Sequence, residues 1–116
     1  MDDETLKMTM LFDFFGDLLT EKQNEYFDLY HNEDLSLSEI AEKAGISRQG
    51  VYDTIIRAEK TLIDIEQKTG IIRKWHESQS ELEHAETLAI ELLNHSNDVQ
   101  TNEIATKLVS VIKKLR

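Results

Sequence analysis

Apolar positions recur along the chain with the period of a helix, most clearly between residues 35 and 62. Within LSLSEIAEKAGISRQGVYDTIIRAEKTL, Leu37, Ile40, Ala41 and Ala44 define one face of a short helix. Ser36 or Ser38 is placed to cap its start, and Glu39 and Glu42 suit its early turns. Gly45 follows the last periodic residue, where a left-handed residue commonly ends a helix. Ile46 is expected to turn inward. Ser47 then caps a second helix that presents Val51, Ile55, Ala58 and Leu62 to the same core. Ala41 stands where the two helices would cross, small enough to let them approach. A short helix, a glycine turn and a capped second helix make a helix-turn-helix pattern.

The flanking segments continue the helical period. Residues 4 to 19 predict a first helix with Leu11, Phe14, Phe15 and Leu18 along one side and Met8 and Met10 extending it. The acidic run Asp2, Asp3, Glu4 favours the positive end of its dipole. So much aromatic surface points to core packing, with a subunit contact as the alternative. Thr20 and Gln23 form a capping box for a helix through Tyr30, burying some of Tyr26, Phe27, Leu29 and Tyr30. With Leu19, that helix braces the motif from behind, and residues 31 to 34 are a polar connection. The motif's second helix shows no stop before Thr69 and Gly70. A long helix follows from Ile71 to Asn94, with Ile71, Trp75, Leu82, Ala85, Ala89 and Leu92 on heptad a and d positions and Ser78 the polar exception. On this seam Trp75 is expected in the core. After a polar loop, a last helix carries Ile104, Leu108, Val111, Ile112 and Leu115 on one face and ends in Lys113, Lys114 and Arg116.

The expected architecture is therefore all-α: a helix-turn-helix bundle over residues 1 to 68 and a C-terminal antiparallel helical hairpin over residues 69 to 116. A hairpin of two helices leaves apolar surface exposed, so the chain is expected to form a homodimer.

Composition narrows the function. With no cysteine, disulfide frameworks, thiol catalysis and cysteine zinc sites are excluded. Proline is absent and only Gly16, Gly45, Gly50 and Gly70 interrupt the chain, which favours helices throughout. The N-terminus has no basic segment before an apolar run, and no apolar run approaches the roughly 20 residues that span a bilayer. A soluble, cytoplasmic protein without membrane insertion is expected. His31, His76, His84 and His95 form no i, i+4 pair, and neither a phosphate-binding glycine loop nor a nucleophile motif is present. No enzyme activity, cofactor or metal is expected.

The net charge of −10 opposes indiscriminate binding to nucleic acid, and its distribution is uneven. Residues 1 to 34 are strongly acidic, with only Lys7 and Lys22 basic, whereas residues 35 to 62 balance Glu39, Glu42, Asp53 and Glu59 with Lys43, Arg48, Arg57 and Lys60. If the motif reads DNA, Ser47 and neighbouring backbone amides would hold a phosphate. Arg48, Gln49 and Tyr52 would reach bases, arginine being suited to guanine and glutamine to adenine. Lys43, Arg57 and Lys60 would touch phosphate. The alternative is that these residues are a solvated face on a protein-binding scaffold.

The span from Leu19 to Leu62, LTEKQNEYFDLYHNEDLSLSEIAEKAGISRQGVYDTIIRAEKTL, resembles the fourth region of bacterial sigma factors, the helix-turn-helix that reads the upstream promoter element. One departure is that Gly50 and Asp53 stand where sigma readers carry basic or amide residues. Over essentially its whole length the chain resembles the YlxM family, through the MTMLFDFFGDLLTEKQ opening, the DLSLSEIAEKAGISRQGVYDTIIRAEK centre and the acidic helical tail. These are small bacterial proteins, mostly of Gram-positive species, whose genes lie beside those for signal recognition particle components. The resemblance implies a DNA-binding regulatory protein with a part in the signal recognition particle pathway. The rival expectation is an acidic adaptor that binds a signal recognition particle protein or ribonucleoprotein.

Overall fold

Side-chain caps decide where the helices of this protein begin. The computed structural model describes residues 3 to 116, and Asp2 of the predicted N-terminal acidic run lies outside them. Among the described residues six α-helices follow one another: α1 (Asp3–Phe15), α2 (Glu21–His31), α3 (Leu37–Ala44), α4 (Arg48–Thr69), α5 (Ile71–His95) and α6 (Val99–Leu115). The described residues contain no strand, and the protein is all-α with a helix-turn-helix at its centre. Thr20 accepts a hydrogen bond from the Gln23 amide (3.2 Å) while the Gln23 side chain accepts from the Thr20 amide (3.1 Å). Ser36 and Glu39 repeat that reciprocal box at the head of α3. Its hydrogen bonds from Ser36 hold the Glu39 carboxyl below its usual range. Each such cap contributes about 1 kcal/mol.

The described chain divides into two compact units, one ending at Ile72 and the other spanning Arg73–Arg116. In the first, α4 is the central column, because its apolar face serves two cores in succession. Val51 and Ile55 pack with Tyr26, Ile40 and Ala41 in one. Ala58 and Leu62 pack with Met8, Leu11, Phe15, Leu19, Phe27 and Ile72 in the other. Phe12 stacks on Phe27 with ring centroids 4.9 Å apart. No polar or charged residue is fully buried among the described residues. The first unit is thus held by apolar burial, while polar bonds set its helix ends.

The first helix is shorter than its period suggests. It stops at Phe15, and a 3-10 turn over Gly16–Leu18 follows. The tighter turn rotates Leu18 outward (66% exposed) and brings Leu19 inward (9%). The Gly16 carbonyl accepts from the Leu19 amide and from Asn24 Nδ2, which ties this bend to α2. Phe14 is likewise at the surface, and Met8 takes the place expected for it in the core.

Gly45 ends α3 with φ +72°, and both its amide and that of Ile46 donate to the Ala41 carbonyl. Ile46 does not turn inward as the pattern suggested: the left-handed residue redirects the chain over the crest of the turn and leaves it exposed. A Cβ on Gly45 would meet nothing within 4 Å, so substitution there is penalised by backbone strain alone. Gly45→Ala is expected to lower stability by about 1–2 kcal/mol without changing helical content, read by urea denaturation followed by circular dichroism. A loss below a few tenths of a kcal/mol would mean that the turn relaxes away from its left-handed geometry.

In the second unit Asp98 caps α6 by accepting from the Thr101 amide (2.9 Å), and Arg116 pairs with Glu86 of α5. Ala89, Ala105 and Ile112 are its buried residues. Ile104, Leu108, Val111 and Leu115 are exposed, so only Ile112 of the predicted α6 face points inward. The inward side of α6 is therefore the Ala105–Ile112 stripe rather than the bulkier aliphatic one. Trp75 and Leu92 of the predicted seam are about half exposed. Gln79 Nε2 lies against the Leu115 carbonyl, which marks the end of α6, so α6 does not reach Trp75.

Candidate nucleic-acid interface

The face of α4 opposite Val51, Ile55, Ala58 and Leu62 is what a helix-turn-helix offers to a ligand. Gln49, Arg57 and Lys60 lie on it, and Arg48 and Tyr52 flank it half a turn or less from Gln49. Arg48 and Arg57 project to opposite sides of the helix, and all five are exposed. Arg48, Gln49 and Tyr52 come together with Leu37, at the start of α3, around one shallow open groove. Arg57 and Lys60 stand two to three turns further along. Lys60 lines a different shallow groove with Thr61, Ile63, Asp64 and Gln67. At 1.5 Å rise per residue, Arg48 and Arg57 are about 14 Å apart along the axis. That separation is close to the roughly 12 Å width of the DNA major groove. Lys43 occupies the last turn of α3, also exposed.

Ser47 caps α4, its Oγ accepting from the Gly50 amide at 3.0 Å. Its hydroxyl hydrogen stays available to donate, and the first amides of α4 point out of the helix end, where partial positive charge favours a phosphate. Gly50 allows the cap to close tightly: a Cβ there would lie 3.3 Å from Ser47 Oγ and 3.5 Å from the Ile46 side chain.

Among the described residues, Arg48, Arg57 and Lys60 make no ion pair. Gln49 differs, because its Nε2 donates to Asp53 Oδ1 at 2.9 Å. That bond orients the amide along the helix and still leaves one N–H and the carbonyl oxygen free. It also sets a carboxylate on the same face as the cations. The i, i+4 spacing of Gln49 and Asp53 was a legible signal for this pairing.

Another polar contact behind the motif has no local signal. His31 Nε2 lies 2.7 Å from Glu59 Oε1, joining the end of α2 to α4. The His31 ring packs on Phe27 (4.3 Å between centroids) and meets Tyr30 edge-on. The two residues are distant in sequence, so only the packing of α2 on α4 brings them together. The contact leaves the Glu59 carboxylate only partly exposed.

No group of three or more His, Asp or Glu side chains among the described residues has the arrangement of a metal site. No helix among them is long and apolar enough to cross a membrane.

Comparison with known proteins agrees with this geometry. Residues 2–104 match the family described as "Putative helix-turn-helix protein, YlxM / p13 like". A UPF0122 protein of Thermoanaerobacter sp. (strain X514) is 51% identical over 83 residues, covering 72% of this chain and 71% of its own length. A UPF0122 protein of Desulforamulus reducens is 41% identical over 110 residues, 94% of this chain and 90% of its own. Another from Bacillus cereus (strain AH187) is 40% identical over 115 residues, 99% of each. The match over residues 2–104, with relatives 40% and 41% identical over almost the whole chain, places this chain in the UPF0122 family of YlxM/p13-like putative helix-turn-helix proteins.

Proposed function

We propose that this protein is a sequence-specific DNA-binding regulator that docks the N-terminal turns of α4 in the major groove. The observation that supports it best is the exposed Arg48–Gln49–Tyr52 cluster at the capped start of a rigid helix, free of packing duties. Arg48 is suited to the O6 and N7 acceptors of guanine, and Gln49 to the N6 and N7 edge of adenine. Ser47 and the α4 amides hold one phosphate, while Lys43, Arg57 and Lys60 contact the backbone and set the register. The acidic body limits non-specific attraction, so binding depends on matched bases more than on net charge. The test is selection from a random duplex pool at low salt. Enrichment of one motif, with affinity falling steeply as salt rises, is the expected result. A pool that stays random at the lowest salt would overturn the reading.

A second reading has its own observation. Asp13, Asp17, Glu21, Glu25, Glu33 and Asp34 are all exposed on a segment with few cations, which suits a positively charged partner. In this reading the protein acts in the signal recognition particle pathway as an adaptor for a basic protein or ribonucleoprotein, with the motif as scaffold. Retention of purified signal recognition particle components, lost when Asp13, Asp17 and Asp28 are made neutral, is its expected signature. No association between the purified components would remove it.

A further inference from the structure

The hairpin of α5 and α6 carries a second apolar face that its own packing leaves open. Ile104, Leu108, Val111 and Leu115 follow one another by alternating steps of four and three, the a/d spacing of a coiled-coil seam. They are 67%, 46%, 52% and 60% exposed, and the buried contacts of α6 run instead through Ala105 and Ile112. On α5, Leu88 and Leu92 are 53% and 47% exposed, a quarter turn from the buried Ala89. For two antiparallel helices whose inward faces are Ala89 and Ala105–Ile112, the helical period puts both exposed stripes on the same side of the hairpin. The result is one platform of six aliphatic side chains.

We propose that this platform is the interface with a second copy of the chain, the two hairpins closing into an antiparallel four-helix bundle. Three observations select this occupant. The first is area. Each side chain leaves on the order of 100 Å² in water, so the platform reaches the largest apolar patches that monomers carry. Two copies face to face bury about 1,000 Å² or more, the threshold of a specific interface. The second is shape: two equal hairpins with a heptad stripe are half of a four-helix bundle. The third is charge. The α5 helix carries Glu77, Glu81, Glu83, Glu86 and Glu91 against Arg73 and Lys74, whereas α6 carries Lys107, Lys113 and Lys114 against Glu103.

Charge also chooses between the two symmetric ways of stacking the platforms. A two-fold axis across the helices would set α5 on α5 and α6 on α6, acidic edge on acidic edge. An axis parallel to the helices sets α5 of one copy on α6 of the other, antiparallel and of opposite sign. The hairpin register fixes the partners. Glu86 lies across from Arg116, and Gln79 lies against the Leu115 carbonyl. The same levels put Glu91 of one copy beside Lys107 of the other, flanking Leu88, Leu92 and Leu108.

This inference is independent of DNA binding, and its test contains no nucleic acid. Sedimentation equilibrium of the full chain at micromolar concentration is expected to give twice the monomer mass of 13.5 kDa. Leu108→Glu, at an exposed position that leaves helical content unchanged by circular dichroism, is expected to raise the dimer dissociation constant by about 100-fold or more, since the change enters the interface twice. Lys107→Glu alone is expected to weaken the dimer, and Lys107→Glu with Glu91→Lys to restore it. A monomer at every concentration would overturn the proposal and leave the platform to a different protein. A dimer untouched by Leu108→Glu would place the interface elsewhere. Failure of the double exchange to restore association would overturn the α5-on-α6 pairing.

Discussion

Replacing Arg48 by alanine is expected to weaken binding to a selected duplex by about 1–3 kcal/mol, roughly 5- to 150-fold, and to relax the base preference at one position. Arg48 is exposed at the first turn of α4 and makes no ion pair among the described residues, so its removal strands no buried charge and is expected to leave thermal stability unchanged. Arg57→Ala is the contrasting variant. Further along the helix it meets phosphate, so it should weaken selected and scrambled duplexes alike and reduce the salt slope by about 1. Asp53 gives the opposite sign. It holds Gln49 Nε2 at 2.9 Å and brings a negative charge to the DNA-facing surface. Asp53→Asn keeps a hydrogen-bonding partner while removing that repulsion, so affinity should rise for every duplex. Fluorescence anisotropy on the selected and scrambled duplexes separates these outcomes. Equal losses on both duplexes for Arg48→Ala would reassign that residue from base reading to phosphate contact.

Phe27→Ala is expected to cost about 3–5 kcal/mol. Whole domains are stable by only about 5–15 kcal/mol, so this one change threatens the fold of the first unit. Phe27 is completely buried, stacks on Phe12 at 4.9 Å and packs in the core that Ala58 and Leu62 supply from α4. It also supports the His31 ring that reaches Glu59. Leu18→Ala is the control, since Leu18 is two-thirds exposed and should change stability by no more than about 0.5 kcal/mol. Urea denaturation followed by tryptophan-independent circular dichroism reads both. A cost for Phe27→Ala below about 1 kcal/mol would mean that the core collapses around the vacancy.

Local chemistry made the helix ends legible. Thr20 with Gln23, Ser36 with Glu39, and Ser47 before α4 are caps, and a cap is a hydrogen bond between residues three apart. Gly45 and Gly70 take left-handed backbone where the apolar period breaks. The buried stripe of α4, Val51–Ile55–Ala58–Leu62, was equally legible, because a helix that crosses two cores shows its period plainly. Gln49, Arg57 and Lys60 follow from the same stripe as its complement. Contacts between distant residues were not legible. The His31–Glu59 contact and the meeting of Leu37 with Tyr52 depend on how α2 and α3 lie on α4.

By itself, then, the sequence determined an all-helical chain with a helix-turn-helix at its centre, because capping and period are properties of neighbours along one chain. The tertiary structure decided which apolar residues are spent inside. Ile46, Phe14, Leu18 and Trp75 read as core and lie at the surface, and α6 turns Ala105 and Ile112 inward while Ile104, Leu108, Val111 and Leu115 stay outside. Hydrophobicity along a helix names more than one stripe that could be buried. Which of them is buried, as Ala105–Ile112 is in α6, is selected by the neighbouring helix, and that selection exists only once two helices meet.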